Sequence, residues 1–162
     1  MYLKKIKLIK KLCKNKELNI SLAESCTGGL LSALLTQIPG SSEFFDGSYI
    51  VYSNKSKINL LGVSSTIIKK YGAVSKNTSL DMAKSLYKKT KTSIVISITG
   101  VAGPDGGTKN NPVGTVFFTI GFENKKNVSY KTFHKKFKNT DRKSIQQKSA
   151  LFAIDQTLKI IN

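Results

Sequence analysis

Residues 19–40 read NISLAESCTGGLLSALLTQIPG, and the fold is decided there. Asn19 to Ala23 is a short apolar run of the length and composition of a buried strand. Glu24-Ser25-Cys26-Thr27-Gly28-Gly29 follows without a spacer, and Leu30 to Ile38 then carries a helical apolar pattern closed by Pro39-Gly40. Strand, tight glycine turn, helix is the opening unit of an α/β layer. It presents small polar side chains at the end of a sheet strand.

Working outward, residues 3–14 predict an amphipathic helix with Leu3, Ile6, Ile9 and Cys13 on one face. Ser41-Ser42 predicts a short capped turn, and Ser48 to Tyr52 a second strand. Ser53-Asn54 opens a helix that runs to Leu61 and stops at Gly62. A helix from Ser75 or Thr78 to Lys89 turns Leu80, Ala83, Leu86 and Tyr87 inward. Ser93 to Thr99, SIVISIT, is the strongest strand signal and enters a loop with four glycines between Gly100 and Gly107. Val113 to Gly121 and Val128 to His134 predict an antiparallel strand pair turning at Glu123-Asn124. A last helix from about Asp141 to Ile160 places Ile145, Ser149, Phe152, Gln156 and Lys159 along one imperfect stripe, with Leu151, Ile154, Leu158 and Ile161 completing its apolar side. The fold class is therefore α/β: a three-layer α/β/α sandwich with a mixed, mostly parallel sheet, formed by residues 1–162 as a single domain.

Composition narrows the chemistry. The chain carries a net charge of +18 from 27 basic and nine acidic side chains, and Arg142 is its only arginine. The lysines are spread over every segment, so the excess reads as a compositional drift and not as a nucleic-acid footprint, which would rely on arginine forks. No specific nucleic-acid partner is expected. No apolar run approaches the roughly 18 residues needed to span a bilayer, and the lysine-rich first residues lack the features of a secretory signal. The expected location is the cytoplasm, away from membranes. Cys13 and Cys26 are the only cysteines and His134 the only histidine, too few for a structural zinc site or a serine–histidine–aspartate triad near residue 25. No metal or cofactor is expected.

Three polar clusters stand at strand ends, where open α/β sheets bind ligands. In the first, either Ser25 or Cys26 could serve as a nucleophile, with backbone donors around Thr27, Gly28 and Gly29. The second, Tyr52-Ser53-Asn54-Lys55-Ser56-Lys57, offers a base in place of histidine: a lysine whose pKa burial lowers, or a tyrosine. The third, from Thr99 to Thr108, has glycines that admit a ligand close to the backbone, and Asp105 as its only acid.

Seven segments occur together and in order: AESCTGGL at 23–30, PGSS at 39–42, VYSNKSK at 51–57, LGV at 61–63, GAVS at 72–75, ITGVAGPDGGT at 98–108 and PVGTV at 112–116. Over about residues 3–160 the chain resembles the C-terminal domain of the CinA family, also found as stand-alone nicotinamide-nucleotide amidases. The resemblance implies hydrolysis of the carboxamide of nicotinamide mononucleotide to nicotinate mononucleotide and ammonia. It maps the family's nucleophile onto Ser25 and its tyrosine and lysine onto Tyr52 and Lys57. The nucleotide substrate is expected to be held by Thr27, Gly28, Gly29, Asn54, Thr99, Gly100, Ala102, Gly103, Gly106, Gly107 and Arg142, and a homodimer is expected as the commonest closed assembly. A degenerate nucleotide-binding relative is the alternative, and a basic nucleic-acid accessory protein a more distant one. The family's last helix commonly opens with a GDRxxVR-like stretch. Here Asp141 and Arg142 are kept, while Thr140 and Gln146 replace the glycine and the second arginine. A phosphate grip lost with that arginine would fall to Lys143 or Lys148, which act as point charges instead of planar forks.

Overall fold

The computed structural model describes residues 2–124, 127–138 and 141–162. Five strands form one sheet in the order β2-β1-β3-β4-β5, with β1 at Ile20–Glu24, β2 at Phe45–Ile50, β3 at Ile94–Gly100, β4 at Thr115–Asn124 and β5 at Asn127–Lys136. β1 pairs in parallel with both β2 and β3, while β4 pairs antiparallel with β3 and with β5. Four strands therefore run in one direction and only β4 opposes them. This is the mixed, mostly parallel sheet that the alternating pattern predicts.

Helices cover both faces. α1 (Tyr2–Asn15), α2 (Leu30–Leu35) and α6 (Arg142–Ile161) bury Ile6, Ile9, Leu31, Ile145 and Ile154 against Leu22, Ile96 and Phe118. On the opposite face, α5 (Lys76–Thr90) packs Met82, Ala83 and Leu86 against Ala23 and Val95, flanked by α4 (Ser65–Tyr71). α3 (Asn54–Ser56) is a single turn that continues as a π-helical segment, Lys57–Leu61, ended by Gly62 at φ 88°. A hydroxyl seam of Ser79, Ser97, Thr119 and Thr132 fixes α5 to the middle of the sheet, each polar atom satisfied by the next. Among the described residues no helix is long and apolar enough to cross a membrane.

Several sequence expectations need correction. The second strand lies at 45–50, not 48–52, because β1 pairs Ile20 with Phe45 and Glu24 with Ile50. As a half-exposed edge strand containing Asp46 and Gly47, it lacks the apolar signature of a central one. α2 stops at Leu35, where the Thr36 hydroxyl bonds back to the Ser32 and Ala33 carbonyls. α4 went unread: seven residues rich in β-branched side chains carry too little period to announce a helix. In α6 the buried stripe is Ile145, Ser149, Ala150, Ala153, Ile154, Thr157 and Ile161. Small residues let α6 lie close to the sheet, so Phe152 and Gln156 sit at its flank and Lys159 faces solvent. For the same reason α5 buries Thr78, Ser79 and Met82 in preference to Leu80 and Tyr87. Leu3 of α1 is likewise exposed.

Candidate active site

β1 and β3 are neighbours whose chains leave in opposite directions across the sheet, β1 toward β2 and β3 toward β4. A crevice opens outside their carboxyl ends, the usual ligand position in an open α/β sheet. It is a cavity of about 220 Å³ bounded by Ser25 and Cys26 after β1, Tyr52, Asn54 and Lys57 after β2, and the loop after β3. Arg142, at the start of α6, closes it from the other side of the sheet.

Glu24, the last residue of β1, organises the first wall. Its side chain is fully buried and accepts hydrogen bonds from the Gly29, Leu31 and Ser32 N–H groups and from the Ser32 hydroxyl. Its own carbonyl accepts from Val51 N–H, and Ser25 N–H donates to the Ile98 carbonyl. The turn between them requires glycine twice, with Gly28 at φ 60° and Gly29 at φ 98°. The turn that carries Ser25 is thus anchored at both ends, and Ser25 stands 6% exposed at the cavity wall. Replacing Glu24 with alanine would strand one buried and two part-buried N–H groups. Urea denaturation is expected to show a loss of roughly 3 kcal/mol or more.

Lys57 enters from the π-helical segment, only 2% exposed. Its Nζ donates to Ser25 Oγ at 2.9 Å and to the Val51 and Tyr52 carbonyls at 3.1 and 3.2 Å. Those carbonyls are free to receive it because the β2 ladder ends at Ile50. The turn that carries Lys57 is fixed by a reciprocal Ser53–Ser56 capping box. Among the described residues no carboxylate bonds the ammonium, and burial lowers the Lys57 pKa from 10.5 to about 8. Near neutral pH the amine is therefore poised to accept a proton from the serine it touches.

Cys26 is 4% exposed and packs into the core, where burial pushes its thiol up to about 12. A thiol so protonated is a poor nucleophile. Iodoacetamide is expected to leave Cys26 unmodified in the folded protein and to label it after unfolding, as peptide mass spectrometry can show.

The Tyr52 side chain is 57% exposed, and its phenolic oxygen accepts from Arg142 Nη2, not from Ser25 or Lys57. Arg142 Nη1 donates to the Gly103 carbonyl at 2.6 Å, so one guanidinium joins the β2–α3 connection to the glycine loop. That loop approaches β4 closely: a Cβ on Gly100 would sit 2.6 Å from the Thr115 carbonyl oxygen.

Of the residues singled out in sequence, Ser25, Tyr52, Lys57, Asn54, Thr99, Gly100, Ala102, Gly103, Gly106 and Arg142 all line the cavity. Thr27, Gly28, Gly29 and Gly107 do not. Gly28 N–H is spent on the Ser25 carbonyl and Gly29 N–H on Glu24, so neither glycine has a donor to offer a ligand. Lys143 and Lys148 are exposed and off the wall, and Asn139 and Thr140 lie outside the described residues. Sequence reasoning missed Ala73, Val74 and Val101 on the wall, and the structural parts played by Glu24 and Gln146. A carboxylate directly before a nucleophile candidate and a glycine pair was the one available signal. Among the described residues no three histidine, cysteine, aspartate or glutamate side chains group as a metal site.

Comparison with known proteins gives this arrangement its relatives. The description of the CinA C-terminal domain matches residues 3–161. A CinA-like protein of Thermotoga neapolitana is 39% identical over 94% of this chain, and one of Dictyoglomus thermophilum is 45% identical over 89%. The chain spans about a third of their length, 36% and 34% respectively. Among solved structures, the competence/damage-inducible protein CihA of Agrobacterium tumefaciens superposes with a TM-score of 0.93 at 30% identity, covering 98% of this chain and 94% of that one. A CinA superfamily protein of Escherichia coli gives 0.89 at 27% identity, covering 96% and 88%. Matched in sequence from end to end and in fold by solved members, the chain belongs to the CinA family through its C-terminal domain.

Proposed function

We propose that this domain is an amidase that hydrolyses the carboxamide of nicotinamide mononucleotide to nicotinate mononucleotide and ammonia. The observation that carries the reading is the buried 2.9 Å contact between Lys57 Nζ and Ser25 Oγ at the wall of the cavity. A serine hydroxyl becomes a useful nucleophile only beside a base, and here a desolvated lysine fills that place.

Neutral Lys57 takes the hydroxyl proton while Ser25 Oγ bonds to the amide carbon. The tetrahedral intermediate collapses as Lys57 returns that proton to the leaving nitrogen, releasing ammonia and an acyl-serine ester. Water then gives a proton to Lys57 and attacks the ester, and the proton passes back to Ser25 as the carboxylate departs. Tyr52 and Arg142 would act at the cavity mouth. Their mutual hydrogen bond supports a binding role for the phenol, with the guanidinium and Asn54 beside the ribose phosphate. A volume of about 220 Å³ suits the pyridine and ribose of a mononucleotide with its phosphate at the opening. It is small for a dinucleotide, since drug-sized ligands occupy roughly 300–1,000 Å³.

Ammonia release from nicotinamide mononucleotide, nicotinamide riboside and nicotinamide tests the reading. The mononucleotide is expected to turn over fastest. Saturable binding without ammonia, from folded protein at millimolar substrate, would leave a nucleotide-binding domain and overturn the amidase.

A further inference from the structure

We infer that the backbone N–H of Cys26 is the oxyanion donor of this site, and that Gln146 is the positioning residue that holds the Cys26 backbone. The inference rests on the acyl-serine reading above and names the electrostatic part that reading lacks.

Ser25 N–H bonds the Ile98 carbonyl, Gly28 N–H the Ser25 carbonyl and Leu30 N–H the Thr27 carbonyl. The Gly29, Leu31 and Ser32 N–H groups all go to Glu24. Only the Cys26 and Thr27 N–H groups find no partner elsewhere among the described residues, yet these residues are 4% and 3% exposed. Buried backbone donors are almost always paired, so a bare one on the cavity wall beside a nucleophile marks a place for an acceptor. The Thr27 hydroxyl is buried without a partner as well. Cys26 lines the cavity, and the N–H of the residue after a nucleophilic serine is where serine hydrolases on α/β sheets place such a donor.

Between those two N–H groups lies the Cys26 carbonyl. It accepts a hydrogen bond at 2.9 Å from the Gln146 side-chain amide, across 120 residues of sequence. A trans peptide is planar, with its carbonyl and the following N–H on opposite sides. Fixing the Cys26 carbonyl toward α6 therefore locks this peptide and, with it, the backbone that carries the Cys26 N–H at the cavity wall. Gln146 does not line the cavity, so it acts through this peptide and not on substrate.

The test uses a fluorophosphonate probe, which reports the site without assuming a substrate. Ser25 Oγ displaces fluoride from phosphorus, Lys57 takes the serine proton, and the phosphoryl oxygen occupies the hole. Gln146→Met keeps the side-chain length and loses the donor. Gln146→Glu removes it a second way, and Gln146→His offers a ring N–H at similar reach. The expected result is a fall of tenfold or more in the phosphonylation rate of Met and Glu variants, against the ~10²–10³ that outright loss of an oxyanion donor costs. The His variant should recover most of the rate. With nicotinamide mononucleotide, kcat should fall by a similar factor while KM stays within about twofold and the apparent pKa of the rate profile is unchanged, which a general loosening of the fold would not produce. Met and Glu variants that keep their melting temperature and label at the wild-type rate would overturn the inference. So would a wild-type protein that never labels at Ser25. Labelling that follows this pattern without ammonia release would sink the nucleotide substrate and leave the oxyanion assignment standing.

Discussion

Ser25→Ala is expected to lower kcat/KM for ammonia release from nicotinamide mononucleotide by about 10³-fold or more, while nucleotide affinity changes only a few-fold. The two effects separate because, in the proposed mechanism, the hydroxyl contributes the bond-forming atom and very little of the binding surface. Its removal leaves Lys57 Nζ still bonded to the Val51 and Tyr52 carbonyls, so folding should weaken by only about 1 kcal/mol. Cys26→Ala is the matched control. With its thiol buried and held up to about 12, that variant should keep most of the wild-type rate. Steady-state assays and isothermal titration on the two variants read both quantities. An active Ser25→Ala protein would move the nucleophile elsewhere.

Lys57→Met should be the second large effect, again about 10³-fold in kcat, and it carries a pH signature in both rate and stability. At pH 7.5 a lysine with pKa about 8 is roughly one-quarter free base, whereas one at 10.5 is about one part in a thousand. Burial thus raises the reactive fraction about two-hundredfold, and kcat/KM of the wild type should rise with pH through an apparent pKa near 8 and then level. The same burial has a cost. Below pH 8 Lys57 is charged in folded and unfolded chains alike, and the folded state bears the penalty of enclosing it, roughly 3 kcal/mol at about 1.4 kcal/mol per pKa unit. Between pH 8 and 10.5 the unfolded chain holds the extra proton, so this contribution makes stability rise with pH across that window and flatten above it. Lys57→Met should abolish that rise. Its net effect at pH 7 is small, because the relieved charge is offset by two carbonyls left without their donor. Urea titrations at pH 7, 9 and 10 compare the slopes. A slope that survives in the variant would place the titrating group elsewhere.

These effects turn on one amine among 26 lysines, and that shows where sequence reading reaches its limit. The SIVISIT run, the antiparallel pair ending near His134 and the Leu30 helix were legible because period and turn residues agree there. α4 and the true inward stripe of α6 were not. A seven-residue helix has too few turns to show a period, and a helix packed close to a sheet buries alanine and threonine where hydropathy favours phenylalanine. At the site, the motifs located Ser25, Lys57 and the glycine loop. They gave no direction for the Tyr52 phenol, which turns to Arg142, nor any reason to set Gly28 and Gly29 aside as donors.

The sequence by itself determined the strand–turn–helix around Ser25, because glycines that must take positive φ and apolar runs of strand and helix length are local properties. It also narrowed the kind of base to a lysine, a tyrosine or the single histidine, and the structure stacks His134 on Phe117, off the cavity wall. Only the tertiary structure gave Lys57 the surroundings that lower its pKa. A lowered pKa requires the enclosure that β1, the end of β2 and the π-helical segment build together around Lys57. It likewise decided the part played by Gln146, whose donor meets the Cys26 carbonyl only because α6 packs back against the first turn of the sheet. Desolvation and hydrogen-bond direction arise between segments far apart in the chain, so no single stretch of sequence can carry them.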